Sequence, residues 1–133
     1  MDHLKPWIKK HEGYSSKPYL DTVGKLTIGW GHNLDYLGIT VDEAEFILSN
    51  DIKRCETQLA KFTWYTSQPE NVKNALFNMC FNMGITRLLG FKRMIAALIV
   101  KDYTKASIEA LDSKWATQVH GRAKDIALMI RQG

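Results

Sequence analysis

"KHEGYSSKPYLDTVGKLTIGWGHNL", residues 10–34, packs a glutamate, an aspartate, four glycines, a proline and two histidines into one span. Neither a plain helix nor a plain strand accommodates that mixture. Upstream, Leu4, Trp7, Ile8 and His11 fall at helical spacing, which predicts a short helix over residues 3–12 with Gly13 as its C-cap. Pro6 lies in the first turn of that helix, where a missing N–H does no harm. Downstream, turn signals at Ser15-Ser16 and Thr22-Val23-Gly24 bracket two short strands near 18–21 and 25–29, with a third expected around 34–37. Such a hairpin or meander is too small to stand alone.

From Thr40 the pattern turns helical. Thr40 and Glu43 read as a capping box. Ala44, Ile47, Leu48, Ile52, Cys55 and Leu59 then follow one face of a long helix reaching about Lys61. Ser67 and Glu70 read as a second capping box, with Pro69 in the first turn. Val72, Ala75, Leu76, Met79, Cys80 and Met83 follow, apolar over a wide arc, and Gly84 closes what should be the most buried helix. Shorter helices are expected at 91–100, 104–112 and 121–131. The fold class is therefore α+β: a small antiparallel sheet lobe (13–39), a connecting helix (40–61) and a larger helical lobe (67–133, with helix 3–12) within one domain, 1–133.

Composition sets outer limits. With 133 residues, 45% hydrophobic, 11% aromatic and 24% charged, the chain is an ordinary globular protein,. A chain of this size buries roughly two thirds of its unfolded surface, enough for a core without staples. The net charge of +4 and pI near 9.1 favour polyanionic surroundings such as nucleic acid, anionic membrane or an acidic wall polymer. No nucleic-acid motif or dense Arg/Lys stripe is present, so nucleic acid is not expected as a partner. Cys55 and Cys80 make neither a metal pattern nor a disulfide framework and read as buried free thiols. No metal or other cofactor is expected. The N-terminal segment lacks the apolar core of a signal peptide, and the longest apolar run, "MIAALIV" (94–100), is too short to span a bilayer. The expected location is the cytosol of the synthesising cell, or outside it after export without a classical signal, in either case without stable membrane insertion.

The chemistry concentrates in the opening stretch. A helix C-terminus carries partial negative charge and disfavours an ionised Glu12, an effect that apolar walls from Trp7, Tyr14 and Trp30 would reinforce. That is the setting a general acid needs. Asp21, before a turn and in a more polar setting, should stay ionised, and Thr27 on the returning strand places a hydroxyl near both. Two carboxyls with opposite tendencies suit glycosidic hydrolysis. Acidic pairs are nevertheless common, and spacing alone leaves a solvated glutamate at a helix end as the alternative.

The segment "HEG…YLDTVGKLTIGWGH" resembles the signature of the phage-type lysozymes, the glycoside hydrolase family 24 muramidases. "VDEAEFILSNDI" (41–52) is similar to the family's connecting helix, "FNMCFNMG" (77–84) to its central helix, "GF" (90–91) follows at the expected distance, and "SKWATQVHGRAKDI" (113–126) resembles a late segment. The resemblance implies Glu12 as the acid and Asp21 with Thr27 as the groups steering water. It also implies inversion at the anomeric carbon, which requires carboxyls ~6.5–9.5 Å apart. It further implies Asn33, Phe81, Asn82 and Met94 along the saccharide cleft, a structural His32–Asp51 pair, and Arg122 near the acid. Trp115 is expected in the bundle core. His11 stands where an acid is common in the family and reads as a solvated helix-end residue that could couple to Glu12.

The implied function is that of an endolysin cleaving the β-1,4 bond between N-acetylmuramic acid and N-acetylglucosamine in peptidoglycan, acting as a monomer. It would remain in the host cytoplasm until a holin-type lesion admits it to the wall. The segment between Asn33 and Thr40 is shorter than in familiar members, which trims the sheet lobe and opens the outer sugar subsites. The competing class is a wall-binding module that keeps the fold without turnover; the intact Glu12, Asp21 and Thr27 argue against it.

Overall fold

A computed structural model describes residues 1–133. The chain divides into two compact units, Met1–Ile47 and Leu48–Gly133, with the boundary inside a helix.

In the first unit a turn of 3-10 helix, Asp2–Leu4, leads into α1, Lys5–Glu12, with Pro6 at its start. Gly13 ends α1 at φ +70°, where its N–H still reaches the Lys9 carbonyl oxygen at 3.0 Å, a backbone shape that glycine adopts without penalty. Strand β1 (Ser15–Leu20) pairs antiparallel with β2 (Leu26–Gly29), Tyr19 opposite Thr27 and Leu20 opposite Leu26. The ladder is irregular between Ser15 and Tyr19, where Pro18 has no N–H to donate. Strand β3 is His32–Asn33, paired with β2 through Thr27–Asn33 and Ile28–His32.

The strand expected at 34–37 is not formed: α2, Leu34–Leu37, is a single helical turn. Two side chains account for this correction. The Oδ1 of Asn33 caps the turn by accepting from the Tyr36 N–H at 3.0 Å, and the Oδ2 of Asp35 accepts from the Leu26 N–H at 2.6 Å. Local polar groups thus outcompete the strand tendency of Leu34, Tyr36 and Leu37. The third strand occupies the two residues before them.

Helix α3, Val41–Leu59, begins with the anticipated capping box. The Thr40 N–H donates to Glu43 Oε1 at 2.8 Å, and the Glu43 N–H donates to Thr40 Oγ1 at 3.2 Å,. The Thr40 backbone N–H, then the Thr40 side chain, with a smaller contribution from His32, hold the Glu43 carboxyl below its usual value. Of the expected apolar stripe only Cys55 and Leu59, both in the second unit, are buried, whereas Ile47 and Leu48 are exposed.

The second unit is helical. After α3 come α4 (Thr63–Thr66), α5 (Glu70–Met83), α6 (Ile85–Leu89), α7 (Lys92–Ile99), α8 (Tyr103–Leu111), α9 (Lys114–Val119) and α10 (Gly121–Arg131). Helix α5 is the core helix: Val72, Ala75, Leu76, Met79, Cys80 and Met83 are all buried, at the three- and four-residue spacings that line one side of a helix. Around it the packing runs α5 to α10, α10 to α8 and α8 to α7. The second capping box is absent. Pro69 occupies the N-cap of α5 without a side-chain bond, because Ser67 instead closes α4 and presents its carbonyl oxygen to Lys101 Nζ at 2.7 Å.

Gln68, beside it, is buried and joins four groups. Its Nε2 donates to the Trp64 and Leu98 carbonyl oxygens at 2.8 and 3.0 Å. Its Oε1 accepts from Tyr103 Oη at 2.8 Å and Lys101 Nζ at 3.3 Å. Both cysteines are free and buried, as their apolar neighbours require. The run 94–100 forms most of α7, with Met94, Ala97 and Leu98 in the core. No helix is long and apolar enough to cross a membrane.

Candidate active site

Glu12, Asp21 and Thr27 all lie in the first unit. Glu12 is the last residue of α1, exposed, and its carboxyl rests against the bare α-carbon of Gly31. A β-carbon built on Gly31 would stand 2.5 Å from Glu12 Oε2, 2.9 Å from its Cδ and 3.2 Å from its Cγ. Gly31 also sits at φ +73°. Glycine is required there twice, once for the backbone and once for the acid's seat. The Gly29-Trp30-Gly31 turn that joins β2 to β3 therefore fixes where the end of α1 can place its carboxylate. This role of Gly31 was not evident from the motif, which marks a bend but not what approaches it.

Asp21 follows β1 and organises the hairpin turn. Its Oδ1 accepts from the Val23 N–H at 3.0 Å and the Lys25 N–H at 2.8 Å. Its own N–H donates to the Lys25 carbonyl oxygen at 2.9 Å, and its carbonyl oxygen accepts from Gly24 at 3.0 Å. One carboxylate oxygen is thus committed to the turn, and Oδ2 has no protein partner. Thr27, only 3% exposed, sits at the centre of β2 between Tyr19 and Asn33. Its Oγ1 donates to the Lys25 carbonyl oxygen at 2.8 Å, so the oxygen's lone pairs remain as acceptors for a third group.

Aromatic residues surround the acid differently from expectation. Trp7, Tyr14 and Trp30 are all substantially exposed. Trp7 stacks on His11 at 4.4 Å between centroids, and His11 Nδ1 lies 2.9 Å from the Trp7 carbonyl oxygen. That contact assigns the proton to Nδ1 and turns the imidazole back along α1. Tyr14 and Trp30 pack against each other at 5.1 Å, with Lys9 Nζ 4.3 Å over the indole, a cation–π arrangement.

The remaining residues fall as follows. His32 Nε2 lies 2.6 Å from the Gly38 carbonyl oxygen, tying β3 to the end of α2. Asn33 uses its Oδ1 for the α2 cap and keeps its amide N–H groups. In the second unit, Asp51 forms an ion pair with Arg54 at 2.8 Å. Arg122 is exposed in the first turn of α10. Phe81 is 43% exposed near the end of α5, and Asn82, next to it, accepts from Trp115 Nε1 at 2.8 Å. Trp115 is buried, edge-on to Phe91, as a core anchor should be. Met94 is 1% exposed, and its few accessible atoms belong to a cavity wall. No cluster of three or more His, Cys, Asp or Glu side chains could hold a metal ion.

Residues 9–132 match the model of a family described as phage lysozyme. The chain is 29% identical over 163 aligned positions to the probable T4-type lysozyme 2 of Dictyostelium discoideum, covering 100% of this chain and 96% of that protein. It is 32% identical over 130 positions to an endolysin of Acyrthosiphon pisum secondary endosymbiont phage 1, covering 94% and 86% respectively. The pre-baseplate central spike protein Gp5 of Enterobacteria phage T4 is 26% identical over 95% of this chain, but the match covers only 27% of that larger protein.

Proposed function

Because the chain belongs to the phage lysozyme family, we propose that it hydrolyses the β-1,4 bond between N-acetylmuramic acid and N-acetylglucosamine with inversion, using Glu12 and Asp21. At the coarser level it is a glycoside hydrolase, a muramidase-type endolysin whose substrate is peptidoglycan.

The observation that carries the mechanism is the seat of Glu12 on Gly31, in the same unit as Asp21 and Thr27. In the proposed step Glu12, protonated, gives its proton to the glycosidic oxygen as the bond from that oxygen to the anomeric carbon breaks. A water molecule attacks the opposite face of the sugar. Thr27 Oγ1, whose own proton is held by the Lys25 carbonyl oxygen, accepts a hydrogen bond from one hydrogen of that water, which stays on the oxygen. Asp21 Oδ2, the oxygen not used by the turn, takes the other as the new C–O bond forms. Glu12 ends ionised and Asp21 protonated, and exchange with solvent resets both. Room for the water calls for carboxyls ~6.5–9.5 Å apart.

Supporting roles for His32, Asp51 and Arg122, and sugar contacts from Asn33, Phe81, Asn82 and Met94, follow from the family resemblance and belong to the same proposal. So do a single 1–133 lysozyme domain, action as a monomer, and passage to the wall through a holin-type lesion during host lysis.

Clearing of a suspension of peptidoglycan sacculi tests the reading, with the wild type beside Glu12→Gln and Asp21→Asn. The wild type should clear the suspension, and both variants should nearly fail to while remaining folded. Equal clearing by all three proteins would sink the two-carboxylate assignment, and no clearing by any would favour a wall-binding module.

A further inference from the structure

The turn that seats Glu12 consists of a glycine, a tryptophan and a glycine. Gly29 and Gly31 stand at φ +67° and +73°, and residues without a side chain leave such a turn free to swing. At its base the Ile28–His32 pair ties β2 to β3. Beyond that pair Trp30 supplies the turn's one side chain.

That side chain is held by residues on either side of the acid in sequence. Lys9, one turn before Glu12 on α1, places its Nζ 4.3 Å from the centre of the indole. Tyr14, just after Gly13, packs on the same indole at 5.1 Å between centroids, tilted by 40°. Close packing does not account for the position of the ring. Trp30 is 45% exposed, and a hollow of about 280 Å³ walled by Lys5, Ile8, Lys9 and Trp30 lies beside it. The cation–π contact and the aromatic pair are therefore what fix the indole. Both come from the segment that carries Glu12, so a shift of the indole moves Gly31 against the carboxyl that rests on it.

We propose that Trp30 is a positioning residue for Glu12: gripped by Lys9 and Tyr14, it holds Gly31 against the acid and so fixes where the proton is delivered. The inference rests on the muramidase reading for the step it serves. It gives the exposed Lys9, Tyr14 and Trp30 a part in the rate through Glu12, rather than a part in binding sugar.

Two readouts test it. The first needs no substrate. The α-proton NMR signals of Gly31, against which the Glu12 carboxyl lies, should move in the wild type as that carboxyl is titrated. Trp30→Ala should lose most of that movement, Lys9→Met and Tyr14→Ala part of it, and Trp30→Phe should keep it. The second readout is kcat and KM on soluble muramyl oligosaccharide. Trp30→Ala should lower kcat about 10- to 100-fold with KM changed less than about twofold. Lys9→Met should lower kcat about threefold, and Trp30→Phe should recover most of the rate. In a Gly31→Ala background, where the seat is already lost, Trp30→Ala should cost less than about twofold more. Trp7→Ala removes an indole that stacks on His11 instead and should change neither readout. No Gly31 response in the wild type, or a full one in Trp30→Ala, would overturn the proposal. So would a raised KM with kcat intact, which would mark Trp30 as a platform for sugar. A wild type that shows the Gly31 response, lost in Trp30→Ala, but cleaves nothing would leave the positioning of Glu12 standing and remove the muramidase mechanism.

Discussion

The carboxyl of Glu12 occupies the place where a side chain on Gly31 would begin, 2.5 Å from the nearest carboxylate oxygen. Position 31 therefore controls the acid although it bears no functional group. Gly31→Ala must move Glu12 or the turn, and displacements of an ångström at a reacting group cost about 100-fold in rate. We predict a loss of that order in sacculus clearing. Gly38→Ala is the control: it shares a positive φ of 59°, but its β-carbon would meet nothing within 4 Å. It should cost roughly 1–3 kcal/mol of stability and leave the rate of folded enzyme unchanged. Similar rates for both variants would separate Gly31 from the chemistry.

Asp21 has two jobs that different substitutions divide. Asparagine can still accept the Val23 and Lys25 N–H groups through its side-chain oxygen, but it cannot take a proton from water. Asp21→Asn should retain a melting temperature near the wild type's and lose activity by roughly 100- to 10,000-fold. Asp21→Ala should lose both the activity and about 1–3 kcal/mol, because two turn donors are left unpaired,. Thermal melts beside clearing rates distinguish the two outcomes.

Gln68 should behave as a structural hub. Gln68→Leu removes the partner of two carbonyl oxygens, a tyrosine hydroxyl and an ammonium group at once. The expected cost is roughly 2–4 kcal/mol, which corresponds to a fall in Tm of about 5–15 °C. An unchanged Tm would show that these groups find other partners. The rate of the folded enzyme at 25 °C should not change.

Burial, followed by the neighbouring Cys55, pushes the Cys80 thiol up from 9.0 to about 12. The folded state therefore favours the neutral thiol, and unfolding releases a proton once the pH exceeds the unfolded value. The stabilising contribution is complete below pH 9 and is lost progressively as the pH rises towards 12,. Cys80→Ala removes that dependence. Its Tm deficit relative to wild type, large at pH 7 from the cavity it leaves, should narrow at pH 10.5. Native Cys80 should also resist thiol reagents at pH 8, since the thiolate is the reactive form. Rapid labelling of folded protein would contradict this.

Features set by neighbours in sequence were legible from the residues. The Thr40–Glu43 box, the stop at Gly13 and the α5 face from Val72 to Met83 needed only local spacing. The same local pattern misled at Ser67–Glu70, where the Lys101 ammonium and the fit of Gln68 between Trp64 and Leu98 decide how the chain enters α5. The strand expected at 34–37 was lost to an asparagine cap and to Asp35 reaching nine residues back to Leu26. Helices α6 and α9, of five and six residues, are too short for a helical period to emerge. At the site, Glu12, Asp21 and Thr27 stood out as a motif because they fall within one short stretch. The seat on Gly31 did not, since it depends on how α1 meets the β2–β3 turn.

The mechanism is tested most directly by the anomer first released. Digestion of soluble muramyl oligosaccharide by the wild-type enzyme, followed by proton NMR before mutarotation proceeds, reports the configuration of each new reducing end. Water delivered by Asp21 and Thr27 to the face opposite Glu12 predicts that the α anomer appears first and the β anomer grows in afterwards. A product that is β from the earliest spectrum would mean retention, and would contradict the assignment of Asp21 and Thr27 to an attacking water.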